Sequence, residues 1–217
     1  MLSFLRAQTP PRTNNAANNP ILYDKGKSSV TFRGPDADYI MTHRITPTTA
    51  SNVVSIVAPP HHYHVYQDEY FQVQSGIGNF YRGFDKTPFA VLSGCEGAQR
   101  TASVQAGQFH RFENASQTED LVVDIHLAPG TYEDEERFFR NFFGYLDDCR
   151  NADREPNVFQ LLVILNEADT PVAIPLPWNW LARLASRTFT TGGALIGKWV
   201  LGFQSTYPEY FEESKLK

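Results

Sequence analysis

From residue 39 to residue 127 the chain reads as short extended runs broken by turn residues. Residues 39–45 and 52–57 are rich in β-branched side chains and predict strands. Residues 70–74 alternate apolar and polar and stop at Ser75-Gly76-Ile77-Gly78, which predicts a hairpin returning over 79–84. Residues 101–105, 108–112 and 121–127 continue the series, with turns at Ala106-Gly107 and across 114–120. Many short strands at this spacing predict a sandwich or barrel.

After Pro129-Gly130 the period changes. Thr131 followed by Glu133, Asp134, Glu135 and Glu136 reads as a cap and an acidic first turn, which complements the helix dipole. Phe138, Phe139, Phe142, Phe143 and Leu146 then recur at helical spacing. Residues 156–167 predict a second helix opened by Pro156, and residues 178–188 a third. A fourth, over 194–203, is expected to follow a break at Gly192-Gly193. The phenylalanine stripe predicts core against the β domain, or a partner surface. The Asn- and Pro-rich start carries Arg6 and Arg12 with no acid before Asp24, a faint organelle-import composition, but it lacks an apolar run and predicts a disordered tail. Three segments result: a tail over 1–22, a β-barrel over 23–130 and a helical extension over 131–217.

Composition narrows the partners. Nineteen basic against 24 acidic residues leave a formal charge of -5, so no basic excess exists to neutralise nucleic-acid phosphates. Cys95 and Cys149 fit no zinc or disulfide framework and predict two reduced thiols in a cytoplasmic protein. The apolar run at 194–203 is interrupted by Lys198 and is far short of the roughly 20 residues a transmembrane segment needs. A buried helix is the plainer reading of it. An interfacial helix helped by Trp178, Trp180 and Trp199 is the other.

The chemistry concentrates in Pro59-Pro60-His61-His62-Tyr63-His64-Val65-Tyr66-Gln67-Asp68-Glu69. Alternate strand residues share a face, so His62 and His64 project together and His61 points away. Glu69 is out of phase with His64 on a straight strand, so a turn or bulge within 65–68 must bring it alongside. His110, in Gly107-Gln108-Phe109-His110, offers a fourth ligand from another strand, while Asn114 reads as a turn residue.

His62-x-His64-x4-Glu69-x6-Gly76 resembles the first cupin motif, and Gly107-x2-His110-x3-Asn114 resembles the second. The resemblance covers residues 39–127. The glycine expected before the first motif is Ile56, and the proline and early glycine of the second are Gln105 and Gln99. It implies a mainly β fold, a double-stranded β-helix (jelly roll), here with a C-terminal α-helical extension like that of some fungal cupins of specialised metabolism. It also implies that His62, His64, Glu69 and His110 hold one divalent transition metal, and it implies a homodimer. Three imidazoles and one carboxylate suit Fe, Mn, Ni, Cu or Zn without choosing among them, and Fe is the first expectation.

Strand parity with Glu69 and His110 makes Phe71, Val73 and Phe112 candidate apolar walls for substrate. Tyr39 and Met41 alternate onto one face of an early strand with His43. His43, with Asp124 and His126 of the last strand, supplies the candidate acid-base groups. Four ligands in an aromatic barrel favour an enzyme acting on a small, largely hydrophobic molecule, aromatic or polyketide-like. A metal-dependent oxygenase or dioxygenase is the leading expectation. A non-redox isomerase, cyclase or lyase, and a non-catalytic ligand-binding cupin, are the alternatives.

Overall fold

The residues described by the computed structural model are 9–48 and 53–212. Their β part comprises β1 (Ile21–Tyr23), β2 (Ser28–Phe32), β3 (Met41–Ile45), β4 (Asp68–Ser75), β5 (Ile77–Arg82), β6 (Ala90–Ser93), β7 (Thr101–Val104), β8 (His110–Asn114) and β9 (Leu121–Ala128). They form a six-stranded sheet, β1-β2-β3-β9-β4-β7, and a three-stranded sheet, β6-β5-β8, with every pair antiparallel.

The two-residue period decides what lies between the sheets. Met41, His43 and Ile45 of β3, Glu69, Phe71 and Val73 of β4, and Val123, Ile125 and Leu127 of β9 are all buried. Register aligns them in rows: Met41 opposite Ile125 opposite Phe71, and His43 opposite Val123 opposite Val73. From the smaller sheet, Phe80 and Phe112 meet Phe71 at ring-centroid distances of 5.0 and 5.3 Å, joining the sheets through one aromatic core. Each such ring contributes about 1.5–3 kcal/mol through burial. The result is the jelly-roll barrel that the motifs imply.

Two local expectations fail. Ser75-Gly76 is not a hairpin: β4 pairs with β7 and β9, β5 pairs with β6 and β8, and Gly76 is the corner at which the chain changes sheets. Its φ of +77° and its 2.3 Å approach of a built Cβ to the Asp120 carbonyl oxygen both demand glycine. Residues 53–57 are not a strand, and Asn52 lies outside the described residues. Side chains there occupy the donors a ladder would use: Ile56 N–H donates to Asp24 Oδ2 and Val57 N–H to Ser55 Oγ. Strands β1, β2 and β6 have no counterpart in the expectations, being short runs without clear alternation.

A second unit consists of residues from 133 onward together with the start of the chain up to Asn18. Its helices are α1 (Tyr132–Asn151), α2 (Val158–Glu167) and α3 (Asn179–Leu195), and α3 runs on into a π turn over Ile196–Val200. Asn157 caps α2 by accepting from Phe159 N–H and Gln160 N–H. Phe138 and Phe142 pack on Tyr145, Cys149, Ile164, Tyr207 and Tyr210, so this part of the stripe belongs to the unit's own core. The expected break at Gly192-Gly193 is absent. A Cβ on Gly193 would stand 2.3 Å from Leu162 Cδ1 and one on Gly197 2.7 Å from Val163 Cγ2, so these glycines let the helices approach closely.

The composition-based expectation of a disordered tail over 1–22 does not hold for residues 9–22. Thr13 donates from N–H and Oγ1 to Asp148 at 2.9 and 2.6 Å, Asn15 and Ala16 N–H groups both donate to the Glu209 carbonyl, and residues 21–23 form β1. Polar side chains that cannot build a core still order a segment when buried acceptors await them.

Candidate metal centre

Glu69 stands second in β4, and His110 opens β8 on the other sheet. His62 and His64 precede β4 in irregular chain rather than in a strand. Backbone bonds pin that segment to the second motif: His62 and His110 exchange a pair of N–H···O bonds at 3.1 and 2.9 Å, and Gly107 N–H donates to the His64 carbonyl at 2.7 Å. Asp68 Oδ1 accepts from Ala106 N–H at 2.8 Å, fixing the turn beside it. On the reverse side, Tyr63, Phe109 and Phe84 pack ring against ring, at 4.9 Å for the first pair and 5.0 Å for the second. Alternation thus sends His62 and His64 one way and Tyr63 the other.

The four ligand atoms lie within 4.8 Å of one another. From Glu69 Oε2 it is 2.6 Å to His110 Nε2, 3.3 Å to His64 Nε2 and 4.0 Å to His62 Nε2. Two atoms each about 2.1 Å from one ion can be at most about 4.2 Å apart, so the three spacings from Glu69 suit a shared ion, while the 4.8 Å span of the whole cluster requires the imidazoles to draw closer around it. His64, Glu69 and His110 are at most 4% exposed at the side chain, whereas His62 is 12% exposed and marks the side nearest solvent.

Hydrogen bonding prepares the imidazoles. His62 Nδ1 lies 2.9 Å from the Pro60 carbonyl and His110 Nδ1 2.9 Å from the Gln108 carbonyl. A carbonyl oxygen only accepts, so each Nδ1 carries the proton and each Nε2 faces Glu69. Burial alone would raise the Glu69 carboxyl, but hydrogen bonds from His110 and His64 outweigh it and hold the group well below the usual carboxylate range. Burial, then the neighbouring His110 and His64, push His62 well below its ordinary value. The buried Glu69 carboxylate, beside the neutral His62, is a negative charge that a divalent cation would neutralise. By donor chemistry the residues fit a transition metal.

The other expected site residues divide by parity. Met41, Phe71, Val73 and Phe112 lie inside the barrel and are at most 2% exposed. The Phe71 ring is 6.4 Å from His110, and with Phe112 it forms a packed floor beneath the ligands rather than an open wall. Phe80, stacked on Phe112 at 5.4 Å, belongs to that floor, and only the alternation within β5 could have pointed to it. His43 also faces inward, 2% exposed, with its ring held by the Val57 backbone. Burial lowers it to about 4, against a smaller upward pull from the Glu69 charge.

Asp124, His126 and Tyr39 are not with them. Val123, Ile125 and Leu127 take the inward positions of β9, so Asp124 and His126 point out of the opposite face. There Asp124 accepts from Arg33 Nη2 at 2.9 Å, Thr42 Oγ1 at 2.6 Å and Gln74 Nε2 at 2.6 Å. His126 sits across from Tyr70, ring centroids 6.2 Å apart. Tyr39 precedes β3, and burial and then the Asp124 charge raise its phenol, which places it with the outer group. Asn114 is the last residue of β8 and braces the turn that follows, donating to the Ile45 and Glu119 carbonyls and accepting from Ser116 N–H. Both cysteines are free thiols, Cys95 exposed and Cys149 buried.

No family model matches the chain. Among curated proteins it is 33% identical over 175 residues to the probable oxidoreductase virH of Hypocrea virens, covering 79% of this chain and 75% of that one. It is 34% identical over 134 residues to the oxidoreductase iacF of Pestalotiopsis fici, covering 58% of this chain and 60% of the relative. KdgF of Halomonas sp. is similar in structure over 55% of this chain and 94% of that chain, at 12% identity and a TM-score of 0.36. With two cupin motifs converging on one ligand cluster inside a jelly roll, and with this kinship, the chain belongs to the cupin superfamily, in the family of the Hypocrea virens protein.

Proposed function

We propose that this protein is a metal-dependent oxygenase of the dioxygenase type, acting on a small, largely hydrophobic organic molecule, aromatic or polyketide-like. The observation that carries the reading is the meeting of three imidazole nitrogens and one carboxylate oxygen at a buried point whose His62 edge is nearest solvent. The naming of the related fungal proteins as oxidoreductases supports it. His62, His64, Glu69 and His110 would hold one divalent ion, Fe in the first instance. Such an ion supplies Lewis acidity and, when redox-active, the electron through which dioxygen and an enolic or phenolic substrate can react.

The chain's own residues set the conditions. Glu69 stays ionised and His62 neutral, so both bind without first giving up a proton. Phe71, Phe80 and Phe112 close the barrel beneath the ligands and exclude water from that side. Substrate then approaches past His62. A homodimer in the cytoplasm completes this reading.

A second reading, a non-redox isomerase, cyclase or lyase, draws on His43. This inward-facing neutral imidazole feels the Glu69 charge and offers a proton acceptor inside the barrel. The test begins with metal analysis of protein purified without added metal, where near-stoichiometric transition metal is expected, with strong loss in His62→Ala and His110→Ala. Nitric oxide, added anaerobically to the Fe(II)-loaded protein, should then give an Fe–NO paramagnetic resonance signal that His110→Ala lacks. Equal metal in all three proteins, or no such signal, overturns the reading. With a panel of small phenols and enolisable ketones, substrate-dependent oxygen uptake is expected. Turnover kept by the Zn(II) form without oxygen would select the non-redox reading.

A further inference from the structure

Helix α3 is built inside out. Its buried positions are small or polar: Ala182 and Ser186 at 0%, Thr190 at 1% and Ala194 at 6% exposure, with Gly193 and Gly197 set against α2. Ser186 Oγ accepts from Ile174 N–H at 2.9 Å, so even the hydroxyl facing inward is used. The large apolar residues lie on the opposite face. Leu184, Phe189, Leu195 and Ile196 are each 46% or more exposed. The chain has three tryptophans, all at this helix, and Trp178, Trp180 and Trp199 are each more than 60% exposed. Single exposed apolar residues need no explanation, but a contiguous face of this size marks an interaction surface.

Charge points to the partner. Between Asp169 and Glu209 the sequence has no acid, yet it carries Arg183, Arg187 and Lys198, all exposed, in a protein of formal charge -5. At the end of the π turn, Lys198 and Trp199 border a groove of about 380 Å³ whose other walls include Gln204, Ser205 and Thr206. A cation, hydroxyls and a tryptophan side by side suit a phosphate-bearing headgroup at an apolar boundary. A second copy of α3 would instead bring three more cations against these three. Aromatic and aliphatic bulk on one face, cations and no acids within the helix itself, and tryptophans at both ends are the features of a helix lying in a bilayer surface, although Asp169, after α2, lies near Arg187. No helix among the described residues is long and apolar enough to cross a membrane.

We infer that α3 and its π turn dock flat on an anionic phospholipid surface, with the tryptophans in the headgroup layer and the cations toward the phosphates. The inference is independent of the metal centre. The full chain should co-float with vesicles of phosphatidylcholine mixed with phosphatidylserine, with a blue shift of tryptophan emission, and much less with phosphatidylcholine alone. Lys198→Gln should weaken partitioning about fivefold, and raised salt should weaken it further. The exposed pair Trp180→Ser with Leu184→Ser should abolish it while leaving the circular dichroism spectrum unchanged. Absence of flotation with either vesicle, or equal flotation with both and none lost in Lys198→Gln, would overturn the inference. So would a dimer in sedimentation that the Trp180→Ser, Leu184→Ser pair dissolves.

Discussion

His110 Nε2 and Glu69 Oε2 stand 2.6 Å apart although one residue opens β8 of the three-stranded sheet and the other lies on β4 of the six-stranded sheet. This contact joins the two walls of the barrel at its ligand end, opposite the aromatic core that joins them lower down. An ion held here by ligands from both walls stabilises only the folded state. At a free metal concentration one hundred times the dissociation constant, that linkage amounts to about 2.7 kcal/mol. Chelation should therefore lower the midpoint of thermal unfolding by several degrees, as read by calorimetry. In His110→Ala the chelator should change nothing.

His43 makes the metal-free protein sensitive to acid. Its folded value, lowered by burial to about 4, lies below the ordinary 6.5 of an unfolded histidine. Above pH 6.5 both states are neutral and the full stability is present. As pH falls through 6.5 the unfolded chain takes up a proton that the folded one refuses, so stability is lost until about pH 4. Between pH 7 and 5 this single group removes about 2 kcal/mol. Urea unfolding at the two pH values, with chelator present, should show His43→Gln losing less than wild type by about that amount. An equal loss in both proteins would assign the acid sensitivity to other groups.

Asp124 should matter to folding and not to the metal. Its carboxylate collects donors from Arg33, Thr42 and Gln74 on the outer face of the sheet. Asp124→Asn removes the charge and turns one acceptor into a donor facing donors, at a cost of about 1–3 kcal/mol. Unfolding in urea should register that cost, while metal content stays at the wild-type level. Metal loss without destabilisation would move Asp124 into the site.

The behaviour of Asp124 also shows where the sequence was legible and where it was not. That His62, His64, Glu69 and His110 come together could be read from strand alternation and the resemblance to the two cupin motifs, and the barrel because turns recur at short intervals. Phe71, Val73, Met41 and Phe112 followed from the two-residue period. The same period, applied to β9, puts Asp124 and His126 outside once Val123, Ile125 and Leu127 are seen as the inward set. Choosing between those sets needs the register against β3 and β4, and no single strand carries that information. The corner at Gly76 was hidden for a related reason. A glycine between two alternating runs marks a tight backbone, but whether the second run pairs with the first is decided by strands distant in sequence. At Gly192-Gly193, helix propensity suggested a break, and close packing on Leu162 prevailed.

Gly76 offers a last test, because two separate demands act on it. Several glycines have positive φ, and at Gly83 (φ +66°) an added Cβ would meet nothing within 4 Å. Gly83→Ala therefore isolates the conformational cost of a left-handed alanine, about 1 kcal/mol. At Gly76 (φ +77°) the Cβ would also stand 2.3 Å from the Asp120 carbonyl oxygen and 3.0 Å from Leu121 Cα, both backbone atoms that cannot swing aside. The Asp120 backbone must move, and it leads directly into β9, which lines the barrel opposite β4 in the rows of Phe71 and Val73. Gly76→Ala should therefore cost about 1–3 kcal/mol more than Gly83→Ala in urea unfolding. Should the two substitutions cost the same, the turn at Gly76 relaxes freely and the sheet change does not depend on close backbone contact there.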